Sequence, residues 1–107
     1  MSTGRIVRVL VVGGLTRLDA FYRDAPPGIA IDVISADCPS LGARAEAADA
    51  LVLVVGNVSH SAADKVRSIA RRRGAPLAAA TGASVSRVRA SIAQVYVAAS
   101  TEHRRTA

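Results

Sequence analysis

The sequence predicts an α/β fold, a three-layer sandwich of helices around one parallel, four-stranded sheet. Three observations carry that expectation. Short runs rich in Val, Ile, Leu and Ala recur at Ile6–Val12, Ile29–Ile34, Ala50–Val55 and Pro76–Thr81. The stretches between them hold apolar residues at helical spacing, or alanine-rich segments preceded by capping residues. The loops are short, and strands alternating with helices through short loops pair in parallel with right-handed crossovers.

Ile6–Val12 (IVRVLVV) is a near-continuous apolar run, interrupted once by Arg8 and closed by Gly13-Gly14, as in a strand buried on both faces. Thr16, with Asp19 three residues on, forms a capping-box-like pair. Leu15, Leu18, Phe21 and Tyr22 then keep helical spacing until Pro26-Pro27 forbids continuation. Ile29–Ile34 (IAIDVI) makes the second strand. Ser40–Ala48 reads as a weak, alanine-rich helix, weakened further by Gly42.

Ala50–Val55 (ALVLVV) is the clearest strand in the chain, ended by Gly56-Asn57. Ser59 or Ser61 caps the helix that follows. Ala62, Val66, Ile69 and Ala70 form its inward stripe, Asp64, Lys65, Arg67, Arg71 and Arg72 face water, and Gly74 is its expected C-cap. Pro76–Thr81 (PLAAAT) is the fourth strand, with Gly82 and Ser84 as turn and cap of a last helix. Val85, Val88, Ile92, Val95 and Tyr96 hold helical spacing there, although VYVAA taken alone also fits a strand. Residues 1–100 are read as one domain, and 101–107, with no apolar partner, as a mobile tail.

Four strands in this alternation favour the order 2-1-3-4, a Rossmann-like sandwich equivalent to half of a flavodoxin-like sheet, in which ligands bind where the order reverses at the strand C-termini. That crevice would be lined by Gly13, Gly14 and Thr16 after the first strand. Asn57, Ser59 and His60 would line it after the third strand, and Thr81, Gly82 and Ser84 after the fourth.

Composition bounds the function. A chain of 107 residues, 50% apolar and 21% charged, is ordinary for one globular domain and too apolar for intrinsic disorder. No apolar run reaches the roughly 18 to 20 residues that span a bilayer, so no membrane partner is expected. The opening residues lead straight into a strand pattern without a small-residue cleavage site, and the single Cys38 cannot form an intrachain disulfide; a cytoplasmic location is the expectation. The formal charge of +6 points to an anionic partner. Five of the 14 basic residues, however, are Arg71, Arg72, Arg73, Arg104 and Arg105, at a helix end and in the C-terminal stretch, where cations complement the helix dipole. Three aromatics (Phe21, Tyr22 and Tyr96) offer no stacking platform, so nucleic acid is expected to bind only nonspecifically, if at all.

Two clusters can carry chemistry. Gly13-Gly14-Leu15-Thr16-Arg17 puts permissive backbone and a helix start at the crevice, where free N–H groups favour an anion and Arg17 can reach back to it. It matches neither G-x-G-x-x-G nor the phosphate-binding G-x-x-x-x-G-K-[ST] motif, and the alternative reading is that the glycines serve only the turn and the approach of the first helix to the sheet. Asn57-Val58-Ser59-His60 is the densest polar cluster. His60 can act as ligand contact, acid, base or metal ligand, or stand solvated in the first turn. Ser59, adjacent in sequence, is badly placed as a nucleophile for that base and well placed as a cap. Asp37 and Cys38 follow the second strand, two strand spacings or roughly 9 to 10 Å from His60, and His103 lies in the tail. No single-chain metal site is expected, and no cofactor is indicated.

The runs VVGGLTRLDAFYR and AADALVLVVGNVSHSAADKVRSIARRRGAPLAAATGASVSRVRASI resemble the uncharacterised bacterial family DUF2325, a domain of unknown function, over nearly the whole chain. Gly13, Gly14, Tyr22, Asp37, Ser59, His60, Gly74 and Pro76 match its pattern. Where members of the family tend to carry Cys, this chain has Asn57; where they carry His before the Asp, it has Ser35 and Ala36. The resemblance implies a Rossmann-like domain with polar residues at the crevice and no established activity. Three readings therefore stand side by side. The leading one is a small binding or regulatory domain for an anionic or nucleotide-like ligand. The others are a homodimer that associates through its Ala- and Val-rich last helix, and an enzyme using His60 as acid or base.

Overall fold

The structure, a computed structural model, describes residues 6–13, 20, 24, 27–34, 39–56, 58–82 and 84–106, with side chains as far as residue 99. Strands β1 (Val7–Val12), β2 (Ile29–Ile34), β3 (Ala50–Val54) and β4 (Leu77–Ala80) form one sheet in the order β2-β1-β3-β4, all parallel. Helix α1 (Leu41–Ala47) joins β2 to β3, α2 (His60–Arg73) joins β3 to β4, and α3 (Val85–Thr106) follows β4. This is the Rossmann-like, flavodoxin-like arrangement that the sequence predicts. The helix read around Thr16–Tyr22 lies outside the described residues apart from Ala20, as do Gly14, Arg17, Asp37, Cys38 and Asn57.

The apolar runs of β1 and β3 exist because these strands are central and are covered on both faces. Alternate residues feed two cores. On one face Val9, Val11, Val52, Val54, Ala78 and Ala80 pack against Val88, Ile92, Val95 and Ala99 of α3. On the other, Leu10, Val12, Leu51 and Leu53 pack against Leu41 and Ala45 of α1 and Ala62, Ala63, Val66, Ile69 and Ala70 of α2. Alanines at these contacts let the helices sit close to the sheet. The last helix lies on the face opposite α2; with no further strand to form, no crossover rule fixes its side, and it covers the sheet face that α1 and α2 leave open.

Register is pinned outside the ladder as well. Asp49, just before β3, donates its N–H to the carbonyl of Arg8 at 2.8 Å and accepts the Arg8 N–H on Oδ2 at 2.9 Å, tying the start of β3 to β1. The Gly13 N–H donates to the Ile34 carbonyl at 3.0 Å, and the Val55 N–H to that of Ala80 at 2.9 Å, so both pairings continue one residue past the strands.

Caps explain the helix boundaries. Ser59 accepts the Ala62 N–H on its side chain and the Ala63 N–H on its carbonyl, starting α2. Gly74, at φ +69, ends it in the left-handed conformation. Ser84 accepts the Arg87 N–H at the start of α3. The segment VYVAA is helical, because Val88, Ile92, Val95 and Ala99 continue one buried stripe through it. Helical backbone runs on to Thr106, into the stretch read from sequence as a tail. That stretch holds neither Gly nor Pro, and extending an existing helix fixes only one residue per hydrogen bond.

Candidate functional site

At its C-terminal end β3 leads through Val55 and Gly56 into the start of α2. Gly56 turns the chain at φ +99, a conformation that other residues seldom adopt. A cavity of about 290 Å³ opens here, lined by Leu53, Val55, Gly56, Val58, Ser59, His60, Ala63 and Arg67. His60, Ala63 and Arg67 share a side of α2 because residues three, four and seven apart line one helix face.

The donors of this cavity have few partners among the described residues. Ser59 is committed to capping, with its hydroxyl 3.5 Å from that of Ser61. The N–H groups of His60 and Ser61 precede the first intrahelical bond and have no acceptor among the described residues. The first turn of α2 carries no acidic residue. Arg67 makes no hydrogen bond or ion pair with any described residue, and Asp64, three positions before it, is not paired with it.

Arg72, Arg73, Arg87 and Arg89 of the two long helices contrast with it. Arg72 pairs with Glu46, Arg73 bonds the carbonyls of Ala45 and Ala48, Arg87 bonds the Thr81 hydroxyl at 2.8 Å, and Arg89 pairs with Asp24 at 3.0 Å. Only Arg71 resembles Arg67 among the described arginines of α2 and α3, and it does not line the cavity.

The residues expected at the crevice are therefore distributed as follows. Ser59 and His60 come together in the cavity. Gly13 is buried at the end of β1, on the strand hydrogen-bonded to β3 with Val12 opposite Leu53, but is not part of the cavity lining. Thr81 and Ser84 serve the β4–α3 turn, where Arg87 folds back over Gly82. Gly14, Thr16, Arg17 and Asn57 lie outside the described residues. Arg67 was read from sequence as facing water, and it is exposed; the 60/63/67 spacing is the signal that places it beside His60.

Chemically, the cavity offers a guanidinium, an imidazole and free backbone N–H donors beside an apolar wall, and its described lining contains no carboxylate or thiol. Among the described residues no helix is long and apolar enough to cross a membrane.

Fold and cavity together define a small parallel α/β domain with a donor-lined cavity at the C-terminal end of a central strand. The chain belongs to the family described as "Uncharacterized protein conserved in bacteria (DUF2325)", whose profile matches residues 8–95. No curated protein and no solved structure matches it.

Proposed function

We propose that the protein is a small ligand-binding or regulatory domain whose ligand is an anion held at the end of β3. The observation that carries this reading is the gathering of Ser59, His60 and Arg67, which has no partner among the described residues, around one cavity of about 290 Å³. A cation that lines a cavity and has no partner among the described residues is available to negative charge from outside. The position agrees with the rule that open α/β sheets bind ligands outside the carboxyl ends of their strands.

Calorimetric titration of phosphate, sulfate and AMP into the wild-type protein and His60→Ala tests the proposal. Binding by the wild type that weakens about tenfold or more in the variant supports it, since a charge-assisted contact contributes about 1.5–3 kcal/mol. Absence of binding, or equal binding by the variant, refutes it. A native mass spectrum of freshly purified protein would name any ligand that copurifies.

A second reading, association of two copies through α3, has one observation in its favour. Val97 on that helix is 62% exposed beside a groove of about 300 Å³ that includes Ile29, Ile31, Ile92 and Tyr96. Light scattering with size exclusion separates a dimer from a monomeric binder.

A further inference from the structure

We infer that the cavity at the end of β3 takes an anion that carries an apolar, ring-sized body, rather than a bare inorganic anion. The inference rests on the anion-binding proposal above and adds the class of ligand. It comes from the part of the lining that charge does not explain. Leu53, Val55, Val58 and Ala63 supply the apolar part of a lining whose donors come from Ser59, His60 and Arg67.

Val55 is the telling residue. It is one of three large hydrophobic side chains that stand exposed among the described residues, at 44% of its surface, and it sits in the cavity wall just past the last residue of β3. Its backbone is held by the bond to Ala80, so the side chain stays at this rim. Val58, on the approach to Ser59, is half-buried.

A tetrahedral anion on Arg67 and the N–H groups of His60 and Ser61 would satisfy the charge and leave Val55 facing water. A ring attached to that anion would cover it, and covering apolar surface adds affinity in proportion to the area removed from water. The volume is compatible, since cavities that hold small organic ligands begin at roughly 300 Å³. A phosphate monoester and an aromatic carboxylate share this chemistry, an anionic head on an apolar body.

The test compares inorganic phosphate, phenyl phosphate, benzoate and phenol, titrated into the full chain and followed by calorimetry and by the NMR signals of Ser59, His60 and Arg67. Phenyl phosphate is expected to bind at least about tenfold more tightly than inorganic phosphate, with phenol alone weaker than either. Benzoate against phenyl phosphate separates a carboxylate head from a phosphate head. Val55→Ser, or the isosteric Val55→Thr if the first variant is less stable, should remove most of that advantage and leave inorganic phosphate unaffected. Arg67→Gln should weaken both anions.

Equal affinity for phosphate and phenyl phosphate, or an advantage that survives both Val55 substitutions, overturns the inference and leaves the anion site standing. If no anion shifts the signals of Ser59, His60 and Arg67, the anion site itself is wrong and the inference falls with it.

Discussion

The guanidinium of Arg73, at the end of α2, lies 2.7 Å from the carbonyl oxygen of Ala48 and also donates to that of Ala45 at 2.9 Å. An arginine of one helix thus caps the C-terminus of another. Helix α1 has seven residues and no side-chain cap from Ser40 to its first-turn N–H groups, and is too short to be stable on its own. Its buried Leu41 and Ala45, and the cap supplied by Arg73, hold it on the sheet. The run Arg71-Arg72-Arg73 also sits in the last turn of α2, where positive charge favours that helix's own C-terminus.

Arg73→Ala should therefore destabilise the fold by about 1–2 kcal/mol, the range for partly buried hydrogen bonds from a charged donor. Arg72→Ala, which removes an ion pair to Glu46 between exposed side chains, should cost no more than about 0.5 kcal/mol. Urea denaturation of both variants checks the contrast. Equal losses would show that Arg73 acts only through charge at the helix end.

Gly56 and Gly74 both adopt positive φ, +99 and +69, with no atom near the place a Cβ would occupy. Alanine at either position is expected to cost about 1–2 kcal/mol through backbone strain alone. Only Gly56→Ala should also weaken anion binding, because Gly56 shapes the turn that delivers Ser59 and His60 to the cavity. Gly74→Ala, at the far end of α2, serves as the stability-matched control. Denaturation and phosphate titration of the two variants read both effects.

Arg44, Arg72, Arg73, Arg87 and Arg89 each bond a group of the chain itself, so much of the basic character is engaged internally. We expect any affinity for DNA or RNA to be independent of sequence and to fall roughly tenfold or more between about 50 and 200 mM salt. Fluorescence anisotropy with two unrelated oligonucleotides at two salt concentrations measures it. Sequence preference that survives the higher salt would contradict the expectation.

Much of the fold is legible from local pattern because it depends on local physics. ALVLV reads as a doubly buried central strand, although the sequence extends the expected run to Val55, which stands exposed past its end, and Ser59 and Gly74 announce the limits of α2 through their own side-chain and backbone chemistry. The order β2-β1-β3-β4 follows from alternation and crossover handedness rather than from any one residue. What escapes the sequence depends on distance in space. Nothing in Arg73 says that a carbonyl 25 residues earlier in the chain will meet it, since that contact exists only once α1 and α2 pack side by side.

The candidate site divides along the same line. Ser59 and His60 are conspicuous as neighbours in a polar cluster. Arg67 looks like one more solvated cation until the helix turns it toward the side occupied by His60. Thr81 and Ser84 carry the polar character expected of ligand contacts, yet they answer the backbone and Arg87 at their own turn.

The claim that an anion is held by Ser59, His60 and Arg67 is tested most directly by mapping amide and imidazole NMR shifts while phenyl phosphate is titrated into the wild-type protein and into Arg67→Gln. The predicted result is a saturable set of changes confined to residues 55–60, Ala63 and Arg67, with the midpoint moved at least about tenfold by the substitution, as expected for loss of a charged hydrogen-bonding partner. Changes clustered on another face of the molecule, or a titration curve that Arg67→Gln leaves where it was, would contradict it.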